Sequence, residues 1–161
     1  MRALIVFYSR TGATKKLAKV LGGVINFCDT EELVCSEMKT GLVGYLKAGY
    51  QTFKKLKPEI EPIKHSPEQY DIVIVGTPVW IGTMSSPVRS YLSRYKDKFK
   101  NIAFFCTCGE KQDRIFEKME GFGGSSPIAT LEIVAKKINS SESLEKMKDF
   151  VKVINSIQAK K

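Results

Sequence analysis

Histidine is almost missing from this chain. Its 161 residues include one, His65, in a stretch punctuated by Pro58, Pro62 and Pro67. That leaves no His pair to hold zinc and makes His65 a solvated loop residue rather than a catalytic base. Cysteine is also sparse. Cys28 and Cys35 are separated by six residues, and Cys106 and Cys108 by one. Neither spacing matches a zinc site, so the expectation is four reduced, buried thiols and no metal. Long apolar runs are absent, so no membrane span is expected. The opening apolar run, Ala3–Phe7, is five residues long and enters a polar loop with no small-residue cleavage site. That is not a signal peptide, and the expected location is the cytoplasm. Acidic residues are in deficit, 17 against 26 Lys and Arg, for a net charge of +9. Long-range steering of acidic partners or anionic cofactors follows. The lysines are interleaved with acids and accompany no nucleic-acid recognition motif. They read as solvated helix faces, and no nucleic-acid partner is expected.

Two phosphate signatures are missing as well. No Gly-Lys-Ser/Thr follows the first apolar run, which excludes a Walker loop. Only Gly12 stands where a dinucleotide fingerprint needs three glycines. What is there instead is Tyr8-Ser9-Arg10-Thr11-Gly12-Ala13-Thr14, between a buried strand and a helix start. The first amides of a helix lack internal partners and carry partial positive charge. Ser9, Thr11 and Thr14 add hydroxyl donors, and Gly12 lets the backbone approach a ligand. The segment reads either as a phosphate site or as a plain connection rich in helix-capping residues.

Strands and helices alternate along the rest of the chain. Strands are expected at Ala3–Phe7, Glu31–Cys35, Asp71–Gly76, Ile102–Thr107 and Ile128–Val134. The second is polar and belongs at or beside an edge. Helices are expected from Gly12 to about Phe27, from Leu42 to Lys55, from Ser86-Pro87 to Tyr95, over Gln112–Met119, and over Ser141–Ile157. The 86–95 helix is read as capped by Ser86-Pro87, with Pro at its first position. In the last helix, Ser141-Glu142-Ser143 resembles a cap, and Leu144, Met147, Phe150, Val151, Ile154 and Ile157 form the apolar stripe. This pattern predicts one α/β domain over residues 1–161. Its form is a three-layer αβα sandwich around a five-stranded parallel sheet of order 2-1-3-4-5. Ligands of such sheets bind at the carboxyl ends of strands one and three.

That crevice places two more segments beside the first loop. Strand three leads into Thr77-Pro78-Val79-Trp80-Ile81-Gly82, which holds the only Trp. Trp80 either stacks on a flat ring or packs beneath the loop. Strand four ends in Cys106-Thr107-Cys108-Gly109, whose small residues let the backbone approach a ring edge.

These three segments, with Ser85-Ser86-Pro87-Val88-Arg89, resemble the flavodoxin family in order and strand context, over nearly the whole chain. Thr-Pro-x-x-x-Gly-x-Met-Ser-Ser is also similar to flavodoxin-like quinone reductases. The resemblance implies FMN, held without a covalent link. Ser9, Arg10, Thr11, Gly12, Ala13 and Thr14 would hold its phosphate, with Arg10 and Lys15 offsetting charge. Thr77 to Gly82 would cover one side of the isoalloxazine, and Cys106 to Gly109 would meet it from the other. Three departures stand out. The chain is basic, the loop after strand four has no aromatic, and Ile81 stands where many members have Gly. A branched residue disfavours positive φ, so weak stabilisation of the one-electron flavin is expected.

Cys108 and Arg114 also match the Cys-x5-Arg phosphatase spacing, but Glu110 and Asp113 would repel a phosphate ester. A receiver domain would need acids at the ends of strands one and three, where Tyr8-Ser9 and Gly76-Thr77 stand. The favoured function is an electron carrier between redox proteins, with an acidic iron–sulfur protein or a reductase as partner. The alternative is an FMN-dependent NAD(P)H or quinone oxidoreductase, for which Met84-Ser85-Ser86 and the basic surface speak.

Overall fold

The computed structural model describes residues 2–36, 57–110 and 114–157. Strand β1 (Ala3–Phe7) is buried along its whole length because it lies between two parallel neighbours. These are β2 (Cys28–Glu32) and β3 (Ile72–Trp80). Beyond β3, a two-residue strand β4 (Thr83–Met84) folds back antiparallel onto the end of β3. Then β5 (Ile102–Cys108) pairs with β3, and β6 (Thr130–Val134) with β5, both parallel. The order is β2-β1-β3-β5-β6, with β4 off this path. The five parallel strands thus follow the expected 2-1-3-4-5 order. The sixth strand was not anticipated, because β3 runs on past Gly76 to Trp80 and needs only a two-residue turn to return.

Among the described residues, four helices cover the sheet: α1 (Ala13–Val24), α2 (Ser86–Tyr95), α3 (Ile115–Gly123) and α4 (Ser141–Ser156). Alternation along the strands divides the core in two. Ile5, Ile74, Ala103, Phe105 and Ile133 pack with Leu17 and Leu21 of α1 and Met147 and Phe150 of α4. Val6, Val75, Phe104 and Cys106 pack on the other face with Val88 and Leu92 of α2 and Ile115 and Met119 of α3. This is the three-layer arrangement expected of the alternating pattern.

The register of β2 differs from its expected span of Glu31–Cys35. The paired residues are Cys28–Glu32, opposite Ala3–Phe7. The apolar Leu33 and Cys35 follow the strand and turn into the core, while the edge strand itself is polar. Helix α3 runs from Ile115 to Gly123, later than the expected Gln112–Met119, and closes on Gly124 with φ 70°. The expected helix from Leu42 to Lys55 lies outside the described residues.

Two caps sit one residue earlier than expected. Ser85 holds the extended N-cap position of α2, and Pro87 sits in the first turn, where a missing N–H costs little. Ser140 caps α4 by accepting the Ser143 amide at 3.2 Å. None of the four cysteines forms a disulfide. Three are buried, and Cys28 is half-buried rather than fully so.

Gly76 controls how closely the layers approach. A Cβ there would lie 2.0 Å from the Phe105 ring, and Phe105 is fully buried. The ring fills the space a side chain at position 76 would need, just below the rim where β3 and β5 end.

Candidate functional site

Because β1, β3 and β5 are parallel neighbours, the segments that follow them open on one rim. The first is the turn into α1. Gly12, at φ 91°, occupies the left-handed conformation at the helix start. No side chain caps this helix end, and no acidic residue lies in its first turn. The Ser9 hydroxyl oxygen is buried without a hydrogen-bond partner among the described residues. Thr11 and Gly12 are exposed, Arg10 and Ala13 half-buried, and Thr14 buried. A helix end with open amides, an unmet hydroxyl and no carboxylate in its first turn suits an anion with several oxygens.

The cations at this loop are already engaged. Lys15 Nζ lies 2.6 Å from Glu32 at the end of β2, so its charge is shared with a carboxylate. Arg10 is hydrogen-bonded to the phenol of Tyr8. Burial pushes the Tyr8 pKa up, against the pull of Arg10, and the net result lies above its ordinary value.

The second segment is the β3–β4 hairpin. Thr77 does not face the crevice with a free hydroxyl. Its Oγ1 accepts the Ser85 amide at 3.0 Å and lies 2.9 Å from the Pro78 carbonyl and 3.2 Å from the Ser85 hydroxyl. It fixes both ends of the hairpin. Pro78, Val79 and Trp80 are half-buried. The Trp80 ring meets the Tyr8 ring edge-on, at 5.7 Å between centroids and 88° between planes. Trp80 therefore joins the first loop to the second and also packs against the core beneath.

Ile81 and Gly82 form the two-residue turn, with φ 49° and 67°. Two positive φ values define the turn type whose twist matches the hairpin. The expectation that Ile81 avoids positive φ is thus overturned. Strand twist imposes that conformation despite the branched side chain, at a cost of about 1–2 kcal/mol. The Ile81 side chain is 70% exposed at the tip. Lys118 of α3 reaches across and donates to the Gly82 carbonyl at 2.6 Å.

The third segment ends β5. Cys106, Thr107 and Cys108 are buried, and Gly109 is exposed. The Cys108 thiol donates toward Glu132 Oε1 at 3.4 Å and the Ile133 carbonyl at 3.7 Å. A hydrogen bond with Cys108, followed by burial, keeps the Cys106 thiol protonated, far above its ordinary pKa. Neither thiol is presented as a nucleophile. Arg114 is exposed and paired with Glu117 at 2.8 Å, so Cys108 and Arg114 form no phosphatase cradle. Thr107 turns to the opposite face of β5 from the cysteines and meets Thr14, hydroxyl to hydroxyl, at 2.7 Å. Of the expected site residues, the structure brings the three backbone segments together. It assigns Thr77, Cys106 and Cys108 side chains to internal contacts.

Two contacts at the rim escaped the sequence reading. Tyr8 opens the first loop, but nothing local announces its edge-on contact with Trp80. Lys118 is one of many lysines, and its contact spans 36 positions.

Comparison with known proteins agrees with this architecture. No family model matches the chain. It is 29% identical over 100 residues to an NAD(P)H dehydrogenase (quinone) of Archaeoglobus fulgidus, a match covering 56% of this chain. The matched region spans about half (49%) of that relative's length. Among solved structures, it superposes on a flavoprotein from Lactobacillus acidophilus in complex with FMN, with a TM-score of 0.72 and 21% identity. That match covers 88% of this chain and 98% of the other. It also superposes on the two-electron reduced flavodoxin of Megasphaera elsdenii, at TM-score 0.60 and 12% identity over 92% and 97%. The strand order, the three converging turns and these superpositions together establish a flavodoxin-like fold.

Proposed function

We propose that this chain binds FMN at the three-turn rim and carries electrons between redox proteins. The observation that carries this reading is the start of α1, which combines an uncapped helix end, an unmet buried Ser9 hydroxyl and no acidic residue in the first turn. The structurally similar Lactobacillus protein was solved with FMN, which supports the choice of anion. When bound, FMN supplies the redox chemistry, and the protein supplies binding, orientation and field. Ser9 to Thr14 would receive the phosphate on amides and hydroxyls. The Trp80–Tyr8 edge contact holds the hairpin against the first loop, so Thr77 to Gly82 present a fixed wall. Lys118 keeps the hairpin tip down on α3. Cys106 to Gly109 offer the opposite wall through backbone, since the Cys106 and Cys108 side chains are buried. The exposed Ile81 tip on a chain of net charge +9 gives an acidic protein partner an apolar contact and an attractive field.

A second reading, an FMN-dependent NAD(P)H:quinone oxidoreductase, is favoured by the match to the Archaeoglobus fulgidus dehydrogenase. Purified protein mixed with NADH or NADPH, with and without a quinone, separates the two. Slow reduction by either nucleotide is expected of a carrier. Rapid bleaching of the flavin and quinone-dependent turnover would assign the enzyme instead.

A further inference from the structure

Thr14 and Thr107 lie 93 positions apart, yet their hydroxyl oxygens are 2.7 Å from each other in the buried interior. Thr14 is 1% exposed and Thr107 4%. Thr14 stands in the first turn of α1, within the phosphate loop. By strand alternation Thr107 shares a face of β5 with Ala103 and Phe105, which pack with Leu17 and Leu21 of α1. Two hydroxyls bring two protons, and one hydrogen bond uses one of them. Neither oxygen makes a second hydrogen bond among the described residues, so one O–H proton needs an acceptor from elsewhere. A buried donor left without one costs about 1–3 kcal/mol.

The direction of the bond decides where that proton is. If Thr14 donates to Thr107, the spare proton sits on β5 beneath the helix. If Thr107 donates to Thr14, the spare proton sits on Thr14, at a helix end that favours negative charge. There the Ser9 hydroxyl is likewise unmet. An anion in the loop accepts from both and favours the second arrangement.

We propose that Thr107 is a positioning residue of the phosphate cradle. It donates to Thr14 and thereby aims the Thr14 proton at the phosphate, although its place on β5 reads as a ring contact. The inference rests on the FMN reading above. It also makes β5 the strand that couples the phosphate end of the site to the ring end.

Affinities of the intact protein for FMN and for riboflavin, which lacks the phosphate, test it. Thr107→Val keeps the shape and removes the hydroxyl. The expected result is about tenfold weaker FMN binding with riboflavin binding unchanged. Thr107→Ser should match the wild type. In a Thr14→Val background, Thr107→Val should add nothing, since the relay is already broken. Equal loss toward both flavins would make Thr107 a ring contact and overturn the proposal. No loss toward FMN, or full additivity with Thr14→Val, would do the same. Thr107→Ala gives the same contrast if the Val variant does not fold. Should the wild type bind neither flavin, it is the FMN reading that fails, and this inference goes with it.

Discussion

The two ends of the sheet treat polar groups in opposite ways. At the foot, where β1, β3 and β5 begin, polar side chains satisfy one another. Tyr70 hydroxyl lies 2.8 Å from both Asp29 Oδ2 and His65 Nδ1. Arg2 reaches Asp29 at 3.2 Å and lies 5.0 Å over the Tyr70 ring. Asp71 accepts the Arg2 amide, and Asn101 donates to the Asp71 carbonyl. At the rim the count does not close. Among the described residues Ser9 Oγ has no hydrogen-bond partner, the start of α1 has no side-chain cap, and Thr14 and Thr107 share one hydrogen bond between two protons. A closed network holds structure, while an open one is prepared for something that arrives.

Neither an unmet hydroxyl nor backbone strain marks a site alone. Tyr91 and Ser93 hydroxyls are also unmet among the described residues. Phe27, at the foot, has φ 51° just as Ile81 has 49° at the rim. What distinguishes the rim is that the open donors belong to one helix end and point to one kind of ligand.

The largest effect expected from breaking this comparison lies just under the rim. Gly76→Ala would drive a methyl into the buried Phe105 ring and should cost about 3 kcal/mol, read as a fall in denaturant midpoint. Unchanged stability would mean Phe105 moves freely and does not fix the β3–β5 approach. Next comes Thr77→Val, which strands the buried Ser85 amide. A loss of about 1–3 kcal/mol is expected, together with weaker FMN binding as the hairpin loosens. Smaller, and of opposite sign, is Ile81→Gly. Removing the left-handed penalty while adding unfolded-state freedom should leave a net gain of about 0.5 kcal/mol. A loss would show that the exposed Ile81 side chain stabilises the tip.

The smallest effect sharpens the foot. Burial, then the hydrogen bond to Asp29, pushes the Tyr70 phenol up to about 12. A phenol whose folded pKa is raised contributes stability below its ordinary value near 10 and loses it as pH rises toward 12. Asp29 is held below the usual carboxylate range, mainly by that same hydrogen bond. Its contribution is therefore present above the ordinary carboxylate pKa and fades as pH falls through the folded one. Tyr70→Phe should flatten the stability profile between pH 10 and 12, checked by denaturation at a series of pH values. A profile as steep as that of the wild type would assign the alkaline loss to other phenols.

The sequence made the strand order and rim legible because periodicity and helix starts are local signals. Ala3–Phe7 and Ile72–Val75 could only be buried strands, and the apolar stripe of α4 named its own face. What stayed hidden depends on how the strands and helices meet in the fold. The β3–β4 hairpin follows from the length of β3 beyond its neighbours. Lys118 at Gly82 and Thr107 at Thr14 are products of the fold, invisible in either local stretch. At Thr77 the sequence could not show the tie to Ser85, because a hydroxyl at a strand end reads the same whether it faces a ligand or ties a turn.

The most direct test of the open rim is a titration of the apoprotein with FMN and, separately, riboflavin, followed by flavin fluorescence. A phosphate seated on the α1 end predicts one tightly bound FMN per chain and riboflavin weaker by about 100-fold. Equal affinity for the two flavins, or none for either, would contradict a phosphate site at Ser9 to Thr14.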